Sequence, residues 1–267
     1  MDVVIFCGGT GAREQNEHQY RPKPMLAIGE HPLIWHAMKH FSSFGLESFV
    51  LALGRNGDVI RKYFMSFNSY VSDVRVELGS PAVEHLGKEY EECGWRVSLV
   101  STGDNSGVGS RLSRLEPRIQ GDTFIAAYGD ILTDVNMSEL LQFHASQGKI
   151  ATAVGVPLTS VYEALPFAED SDALPKGQDR ARCRPLVDAG LFVFNRAIFQ
   201  HLSGDGSAHL VPDVLSELSA RDEVSVYKPH GFWRRVDTAR DITQLDELWS
   251  SGSPPWGTWS PRAADMK

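Results

Sequence analysis

A glycine-rich turn followed by two basic residues is the first segment of this sequence that could do chemistry. Gly8-Gly9-Thr10-Gly11-Ala12-Arg13 follows the β-branched run Val3-Val4-Ile5-Phe6 with only Cys7 in between, and Lys23 comes later between two prolines. Glycines lack a Cβ and let backbone N–H groups approach a phosphate closely. Arg13 offers a planar fork for phosphate oxygens, whereas Lys23 offers a compact charge on a stiff backbone. The segment indicates an anion-binding site, and a tight turn with solvated surface cations is the alternative.

Two aspartates form the second candidate group. The apolar run 123–128, which is typical of a central strand covered on both faces, ends at Gly129-Asp130. Asp237 follows a short apolar stretch that contains Phe232 and Trp233. Carboxylates suit Mg²⁺ or Mn²⁺, which prefer oxygen ligands and bridge to substrate phosphates. Each aspartate also has a structural interpretation: Asp130 as a capping or turn residue, and Asp237 as the N-cap of the helix after it.

The elements that must position these residues follow an alternating pattern. Strand-like runs at 3–6, 48–53, 97–100, 123–128 and 150–156 alternate with helical patterns at 32–44, 58–67, 110–115, 137–144 and 241–249. Further strands are predicted at 74–78, 191–194 and 224–227. This alternation predicts an α/β fold, a Rossmann-like, mostly parallel sheet with helices on both faces, in which ligands bind beyond the carboxyl ends of the strands. We expect one domain over 1–267, with an irregular insert at about 157–240 and an irregular C-terminal arm at 250–267.

Composition limits the classes of protein that need to be considered. The chain has 267 residues, 42% of them apolar and 22% charged, which is typical of a soluble globular protein. Its net charge of −8 argues against non-specific nucleic-acid binding. No apolar run is long enough to span a membrane and the N-terminus does not resemble a signal peptide, so we expect a cytoplasmic protein. The cysteines are widely spaced and are expected to be reduced thiols: Cys7, Cys93 and Cys183. Three histidines on helical segments are expected to be packing or surface residues: His36, His40 and His144.

Several motifs, in one order along the chain, together resemble the sugar-1-phosphate nucleotidylyltransferase family. They are Gly8-Gly-Thr-Gly-Ala-Arg13, Arg21-Pro-Lys-Pro-Met25, Ile34-Trp-His-Ala-Met-Lys39, Ser101-Thr-Gly-Asp104 with Arg111-Leu112, Tyr128-Gly-Asp130, Gly231-Phe-Trp233, Asp237-Thr238 and the tail Pro255-Trp-Gly-Thr-Trp259. The likeness covers nearly the whole chain and is strongest to the glucose-1-phosphate cytidylyltransferase branch. It implies the nucleotide-diphospho-sugar transferase fold. It also implies that a nucleoside triphosphate is joined to a hexose 1-phosphate, which gives an NDP-hexose and pyrophosphate.

The resemblance also implies a role for each matching residue. Arg13 would bind the departing pyrophosphate, Lys23 would contact the phosphates, and Asp130 and Asp237 would hold Mg²⁺ or Mn²⁺. The nucleotide would be bound by Gly8, Gly9, Gly11, Thr102, Gly103 and Arg111. The sugar side, within the stretch at about 157–240, would include Asp188 and Gly190.

Three departures from the family pattern bear on the activity. Glu14 stands where the family has leucine after the arginine, which places a carboxylate next to Arg13. The family lysine that binds the sugar phosphate is missing, because the slot holds Gly177-Gln178-Asp179. Asp188-Ala189-Gly190 replaces the usual Asn-Gly-Gly. Nearby basic residues that could substitute if the loop shifts register are Lys176, Arg180, Arg182 and Arg184.

The departures leave three functions open. The first is nucleotidyl transfer from a triphosphate to a hexose 1-phosphate. The second is isomerisation of a preformed NDP-hexose, such as a pyranose–furanose mutase, which would need the metal aspartates but not the missing lysine. The third is a catalytically silent nucleotide-sugar sensor. The expected partners are a nucleotide or nucleotide sugar and a sugar phosphate, and neither nucleic acid nor a membrane is expected. A homo-oligomer is compatible with the sequence. The sequence leaves open which base and which sugar are bound and how many subunits assemble.

Overall fold

A seven-stranded sheet forms the centre of the molecule, with the strand order β12-β10-β11-β8-β1-β4-β7. The structure is a computed structural model that describes residues 1–8, 21–79, 83–86, 92, 94–157, 186–206 and 208–259. The strands are β1 (Asp2–Cys7), β2 (Ala27–Ile28), β3 (His31–Pro32), β4 (Ser48–Leu53), β5 (Val74–Val76), β6 (Val83–His85), β7 (Arg96–Ser101), β8 (Thr123–Tyr128), β9 (Ile131–Thr133), β10 (Ala151–Pro157), β11 (Leu186–Asn195), β12 (Val224–Tyr227) and β13 (Trp233–Arg235).

Helices cover both faces of this sheet. The α-helices are α1 (Leu33–Ser42), α2 (Gly57–Met65), α3 (Phe67–Val71), α4 (Val108–Leu115), α5 (Met137–Gln147), α6 (Ser216–Ala220) and α7 (Ala239–Ser250). Short 3₁₀ segments lie at Lys23–Met25, Glu116–Arg118 and Arg196–His201, and Leu210–Leu215 is a π-helix. One apolar core contains residues of α1, α2 and α5, and a second contains residues of α4, α6 and the π-helix.

The directions of the strands confirm the predicted fold class. β1 lies between β8 and β4 and is parallel to both, and the β4–β7 and β10–β12 pairs are parallel as well. β11 runs antiparallel to its neighbours β10 and β8. All six residues of β1 are buried, as expected for a strand with packed helices on both faces.

Some short elements differ from the sequence-based prediction. The strand predicted at 74–78 forms a separate antiparallel pair, β5 with β6, and does not join the main sheet. β9 and β13 pair with each other and were not predicted, because three residues are too few to show a period. Residues 186–195 and 224–227 supply two strands to the main sheet, and the domain division itself stays a prediction.

The segment after α7 packs against α1 through two histidines. Trp256 is fully buried, and its indole Nε1 donates to Nδ1 of His36 at 3.4 Å. His40 is bonded through Nδ1 to Thr258 Oγ1 at 3.0 Å and through Nε2 to the carbonyl of Val135 at 3.0 Å. His144 is also buried and bonded to Thr152. The expectation that these histidines are packing residues is therefore confirmed.

The described residues also bear on the cysteine and membrane expectations. Cys7 is a free, buried thiol at the end of β1, and Cys93 and Cys183 lie outside the described residues. No helix within the described ranges has the length and apolar character that crossing a membrane would require.

The buried histidines predict that stability falls in mild acid. Burial lowers the pKa of His36 and His40 from 6.5 to about 4 each, so the folded state favours the neutral rings. Their contribution is present above the unfolded-state pKa and is lost as the pH falls from 6.5 toward 4. At about pH 5 each histidine should lower the free energy of unfolding by about 2 kcal/mol relative to neutral pH. Urea unfolding followed by tryptophan fluorescence measures this loss.

The variant His40→Gln provides the control, since it keeps a donor for the Val135 carbonyl and cannot be protonated. We expect its unfolding free energy to depend less on pH over this range than that of the wild type. If the unfolding free energy of His40→Gln depended on pH as strongly as that of the wild type, His40 would not be a cause of the acid destabilisation.

Candidate active site

The carboxyl ends of three adjacent parallel strands define one edge of the sheet. Gly8 follows β1, Gly54 follows β4, and the Gly129-Asp130 turn follows β8. A cavity of about 360 Å³ opens over this edge, and its wall includes Gly8, Lys23, Tyr128, Asp130, Asp188 and Arg235. It lies where ligands bind in open α/β sheets.

A short turn between prolines carries Lys23 to this edge. The backbone N–H of Met25 donates to the carbonyl of Pro22 at 2.8 Å, which closes the turn. The turn packs closely on Gly129, where a Cβ would lie 2.9 Å from Cγ of Pro24. A larger residue at position 129 would push the turn away, so this glycine allows Lys23 to approach the end of β8.

The ammonium group of Lys23 lies between the two predicted metal-binding carboxylates. Its Nζ is 3.2 Å from Oδ2 of Asp130 and 2.8 Å from Oδ1 of Asp237. Both carboxylate oxygens are thus within hydrogen-bond distance of one nitrogen, which places the aspartates on either side of a common point. The side chains of Lys23 and Asp130 are only 14% and 15% exposed, whereas that of Asp237 is 61% exposed.

Backbone contacts fix Asp237 next to Asp130. The N–H of Val236 donates to the carbonyl of Asp130 at 2.8 Å. The interpretation of Asp237 as a helix N-cap is wrong, because Thr238 caps α7 in a reciprocal capping box with Asp241. Burial alone would raise the pKa of Asp241, but hydrogen bonds from Thr238 and Asp237 hold it below the ordinary value. The carboxylate of Asp237 is therefore directed to Lys23 and not to the helix.

The sugar-side candidates lie where β11 begins. The carboxylate of Asp188 accepts from the N–H of Gly190 at 2.7 Å and from the hydroxyl of Tyr128. Burial raises the pKa of Asp188 above its ordinary value, against the effect of these two bonds. Gly190 has φ +73°, a region that favours glycine, and a Cβ there would lie 2.5 Å from the ring of Tyr128. This backbone bend places Asp188 beside Tyr128 in the cavity wall.

Arg235 is a cavity residue that the sequence analysis did not assign. Its guanidinium lies 5.1 Å from the centre of the Tyr128 ring, and its Nε is 3.6 Å from Oδ2 of Asp130. The sequence could have indicated this position. In an extended segment every second residue lies on the same face, so Arg235 shares a face with the predicted metal ligand Asp237. Trp233 anchors the same segment, because its indole donates to the carbonyl of Ala189 at 2.8 Å.

The predicted base-contacting residues form a buried support beside the cavity. Arg111 is 2% exposed, and its guanidinium donates to the hydroxyl of Thr102 and to the carbonyls of Ser106 and Asp104. It also occupies the space that a side chain at position 8 would need. Thr102 is fully buried, and its hydroxyl donates to the carbonyl of Leu53 at 2.9 Å. These contacts join the 102–106 turn, including Gly103, to the strand ends, and nucleotide binding by this turn stays a prediction.

Part of the predicted site lies outside the described residues. This part includes Gly9, Gly11, Arg13 and Glu14, and the slot at Gly177-Gln178-Asp179 with its neighbouring basic residues. Of the predicted site residues that the structure does describe, five lie together at the cavity: Gly8, Lys23, Asp130, Asp188 and Asp237.

The donor set at this edge fits a hard divalent cation that is shared with a substrate. Within the described ranges no three His, Cys, Asp or Glu side chains form a group that could hold a metal ion. Mg²⁺ is commonly bound through one or two carboxylates together with phosphate oxygens and water. Asp130 and Asp237, already held around one positive charge, are the two carboxylates that could hold it.

Comparison with solved structures shows the class of fold. The inositol-1-phosphate CTP transferase from T. maritima is similar with a TM-score of 0.65 and 17% identity, covering 93% of this chain and 94% of that chain. A UDP-glucose pyrophosphorylase complexed with UDP-glucose is similar with a TM-score of 0.66 and 14% identity, covering 94% and 98%. The chain thus has the nucleotide-diphospho-sugar transferase fold.

Sequence relatives extend this result from fold to family. The glucose-1-phosphate cytidylyltransferase of Salmonella typhimurium is 33% identical over 264 residues, which cover 97% of this chain and all of the relative. A probable glucose-1-phosphate cytidylyltransferase of Bacillus subtilis is 28% identical over 260 residues, with coverage of 97% and 100%. No protein-family model matches the chain. The chain belongs to the sugar-1-phosphate nucleotidylyltransferase family and is an enzyme of that type, as the motifs predicted.

The position of Lys23 predicts that a divalent cation can take over its electrostatic role. In Lys23→Met the two carboxylates would face each other without a cation between them, and we expect the free energy of unfolding to fall by about 1–2 kcal/mol in metal-free buffer. Millimolar Mg²⁺ should make the difference in unfolding free energy between Lys23→Met and the wild type smaller. Urea unfolding with EDTA and with Mg²⁺ measures both effects.

The control is Lys62→Met, which removes an exposed lysine 3.7 Å from Asp58. This change should cost less than about 0.5 kcal/mol, with no response to Mg²⁺. Equal stability of Lys23→Met and the wild type in EDTA would argue against the bridging role.

Proposed function

We propose that the protein transfers a nucleotidyl group from a nucleoside triphosphate to a hexose 1-phosphate, with a divalent cation bound by Asp130 and Asp237. The observation that supports this most is the convergence of both carboxylates on the ammonium of Lys23. A site built around positive charge at the carboxyl edge of a parallel sheet is suited to a polyphosphate and its metal ion.

In this reaction the protein would act mainly by positioning the two substrates and by neutralising the charge on their phosphates. An oxygen of the hexose 1-phosphate attacks the α-phosphorus in line, the bond to the bridging oxygen of the β-phosphate breaks, and pyrophosphate leaves. When bound, Mg²⁺ or Mn²⁺ would neutralise charge on the phosphate oxygens. Lys23 would contact the phosphates on the same side, and Arg13 would bind the departing pyrophosphate. Gly8 and the 102–111 segment would hold the nucleotide, while Asp188 and Gly190 would bound the sugar.

The two sequence relatives suggest the substrates. Both are named glucose-1-phosphate cytidylyltransferases, and both align over nearly the whole of each chain. We therefore propose CTP and glucose 1-phosphate as the first pair to test. Asp188, where the family has asparagine, argues for including other hexose 1-phosphates in the same panel.

The experiment compares two panels of substrates with Mg²⁺ or Mn²⁺. One contains the four nucleoside triphosphates with several hexose 1-phosphates, and the other contains preformed NDP-hexoses. Release of pyrophosphate together with a new NDP-hexose, followed by chromatography, would support the proposal. A new isomeric NDP-hexose without pyrophosphate would instead indicate a mutase, and binding without turnover in both panels would indicate a sensor.

Removing either carboxylate should remove the metal-dependent activity. We expect Asp130→Asn and Asp237→Asn each to lower kcat/KM by at least about 100-fold, since each loses a charged ligand to the ion that neutralises the phosphates. A coupled assay for pyrophosphate measures the rate. Asp58→Asn changes an exposed aspartate that pairs with Lys62, and it should stay within about twofold of the wild type. Full activity of Asp130→Asn, with an unchanged circular dichroism spectrum, would exclude Asp130 from the site.

A further inference from the structure

Arg235 lies in the cavity wall between two groups of predicted site residues. The metal side is Asp130 and Asp237, and the sugar side is Asp188 and Gly190. On one side its Nε is 3.6 Å from Oδ2 of Asp130. On the other, its guanidinium lies over the ring of Tyr128, whose hydroxyl is bonded to Asp188. Its positive charge also favours the ionised form of Asp188, which shows that the two side chains are electrostatically close.

The chain holds this arginine in place without using all of its donors. The cation–π contact with Tyr128 positions the guanidinium, and the indole of Trp233 ties the strand to Ala189. Yet the buried Nε–H of Arg235 has no hydrogen-bond partner among the described residues. A buried donor without a partner is uncommon in folded proteins and calls for an explanation such as a ligand.

The cavity wall also contains Arg21, Lys23 and Arg55, and the last two of these are already engaged with protein oxygens. Lys23 donates to Asp130 and Asp237, and Arg55 donates to Oδ1 of Asn105 at 2.9 Å. Arg235 therefore has capacity for an incoming anion, and the planar fork of arginine matches two oxygens of a phosphate.

We propose that Arg235 binds the phosphate of the hexose 1-phosphate and takes the place of the lysine that is missing at the Gly177-Gln178-Asp179 slot. The proposal rests on the proposed function, because it concerns the second substrate of that reaction. In a hexose 1-phosphate the phosphate joins the sugar to the reacting centre, so its cation must lie between the sugar side and the metal side. Arg235 has this position, between Asp188 and Asp130.

The first test varies the two substrates separately in steady-state kinetics. Arg235→Ala should raise the KM for the hexose 1-phosphate about 10- to 100-fold, as expected for the loss of a charge-assisted contact, and leave the KM for the triphosphate within about twofold. Arg235→Lys should recover part of the loss, because it keeps the charge but not the fork. Thermal unfolding of each variant checks that the fold is unchanged.

Arg234→Ala is the matched control. Arg234 neighbours Arg235 on β13 but points the other way, with its Nη1 3.6 Å from Oδ1 of Asp241. Both KM values of this variant should stay within about twofold of the wild type. Arg235→Ala with an unchanged KM for the hexose 1-phosphate, or with an equal rise in both KM values, would overturn the proposal.

A binding measurement separates this proposal from the proposed function. Equilibrium dialysis of radiolabelled glucose 1-phosphate, with Mg²⁺ and α,β-methylene-CTP to prevent turnover, compares the wild type, Arg235→Ala and Arg234→Ala. If the wild type binds the sugar phosphate, Arg235→Ala does not and no transfer is detected, then the proposed function fails while the role of Arg235 stands. If wild type and Arg235→Ala bind equally, or if neither binds, then the role of Arg235 fails whatever the wild-type activity.

Discussion

The rest of the site depends on the ion pairs that Lys23 makes with Asp130 and Asp237. Two carboxylates held close together repel each other, and the repulsion grows where water is partly excluded. A cation between them removes this cost and fixes their spacing before any ligand arrives. The three residues are far apart in the chain, with sequence separations of 107 and 214 positions from Lys23. The same contact therefore joins the turn before α1, the end of β8 and the segment after β13.

The direction of β11 is what brings the predicted sugar-side residue Asp188 to this point. The parallel strands β1, β4 and β8 end at the cavity, whereas β11 is antiparallel to β8 and so begins there. Asp188, near the start of β11, thus lies near Asp130, just beyond the end of β8. A fully parallel sheet would place the start of this strand at the opposite edge. The reversed strand β11 allows a single cavity to be bounded by the ends of some strands and the beginning of another.

The sequence predicted several strands of the main sheet well, because their patterns extend over four or more residues. The strands Ser48–Leu53, Thr123–Tyr128 and Val224–Tyr227 were predicted with the observed bounds, and each is a continuous or alternating run. β9 and β13 were missed because a three-residue strand has no measurable period. The capping box Thr238–Asp241 was visible as a Thr-x-x-Asp spacing, and it would have separated the helix cap from Asp237. The position of Lys23 between the carboxylates could not be predicted, since it depends on the packing of a proline turn on Gly129.

The differing exposure of the two carboxylates suggests a division of roles within the site. Asp130 is mostly buried and is approached by both Lys23 and Arg235, at 3.2 and 3.6 Å. Asp237 is largely exposed, and within the described ranges Lys23 is the cation that it contacts. A buried carboxylate with two cationic neighbours is held in place by them. Asp130 is therefore the fixed part of the predicted metal site, whereas Asp237 is its solvent-exposed part.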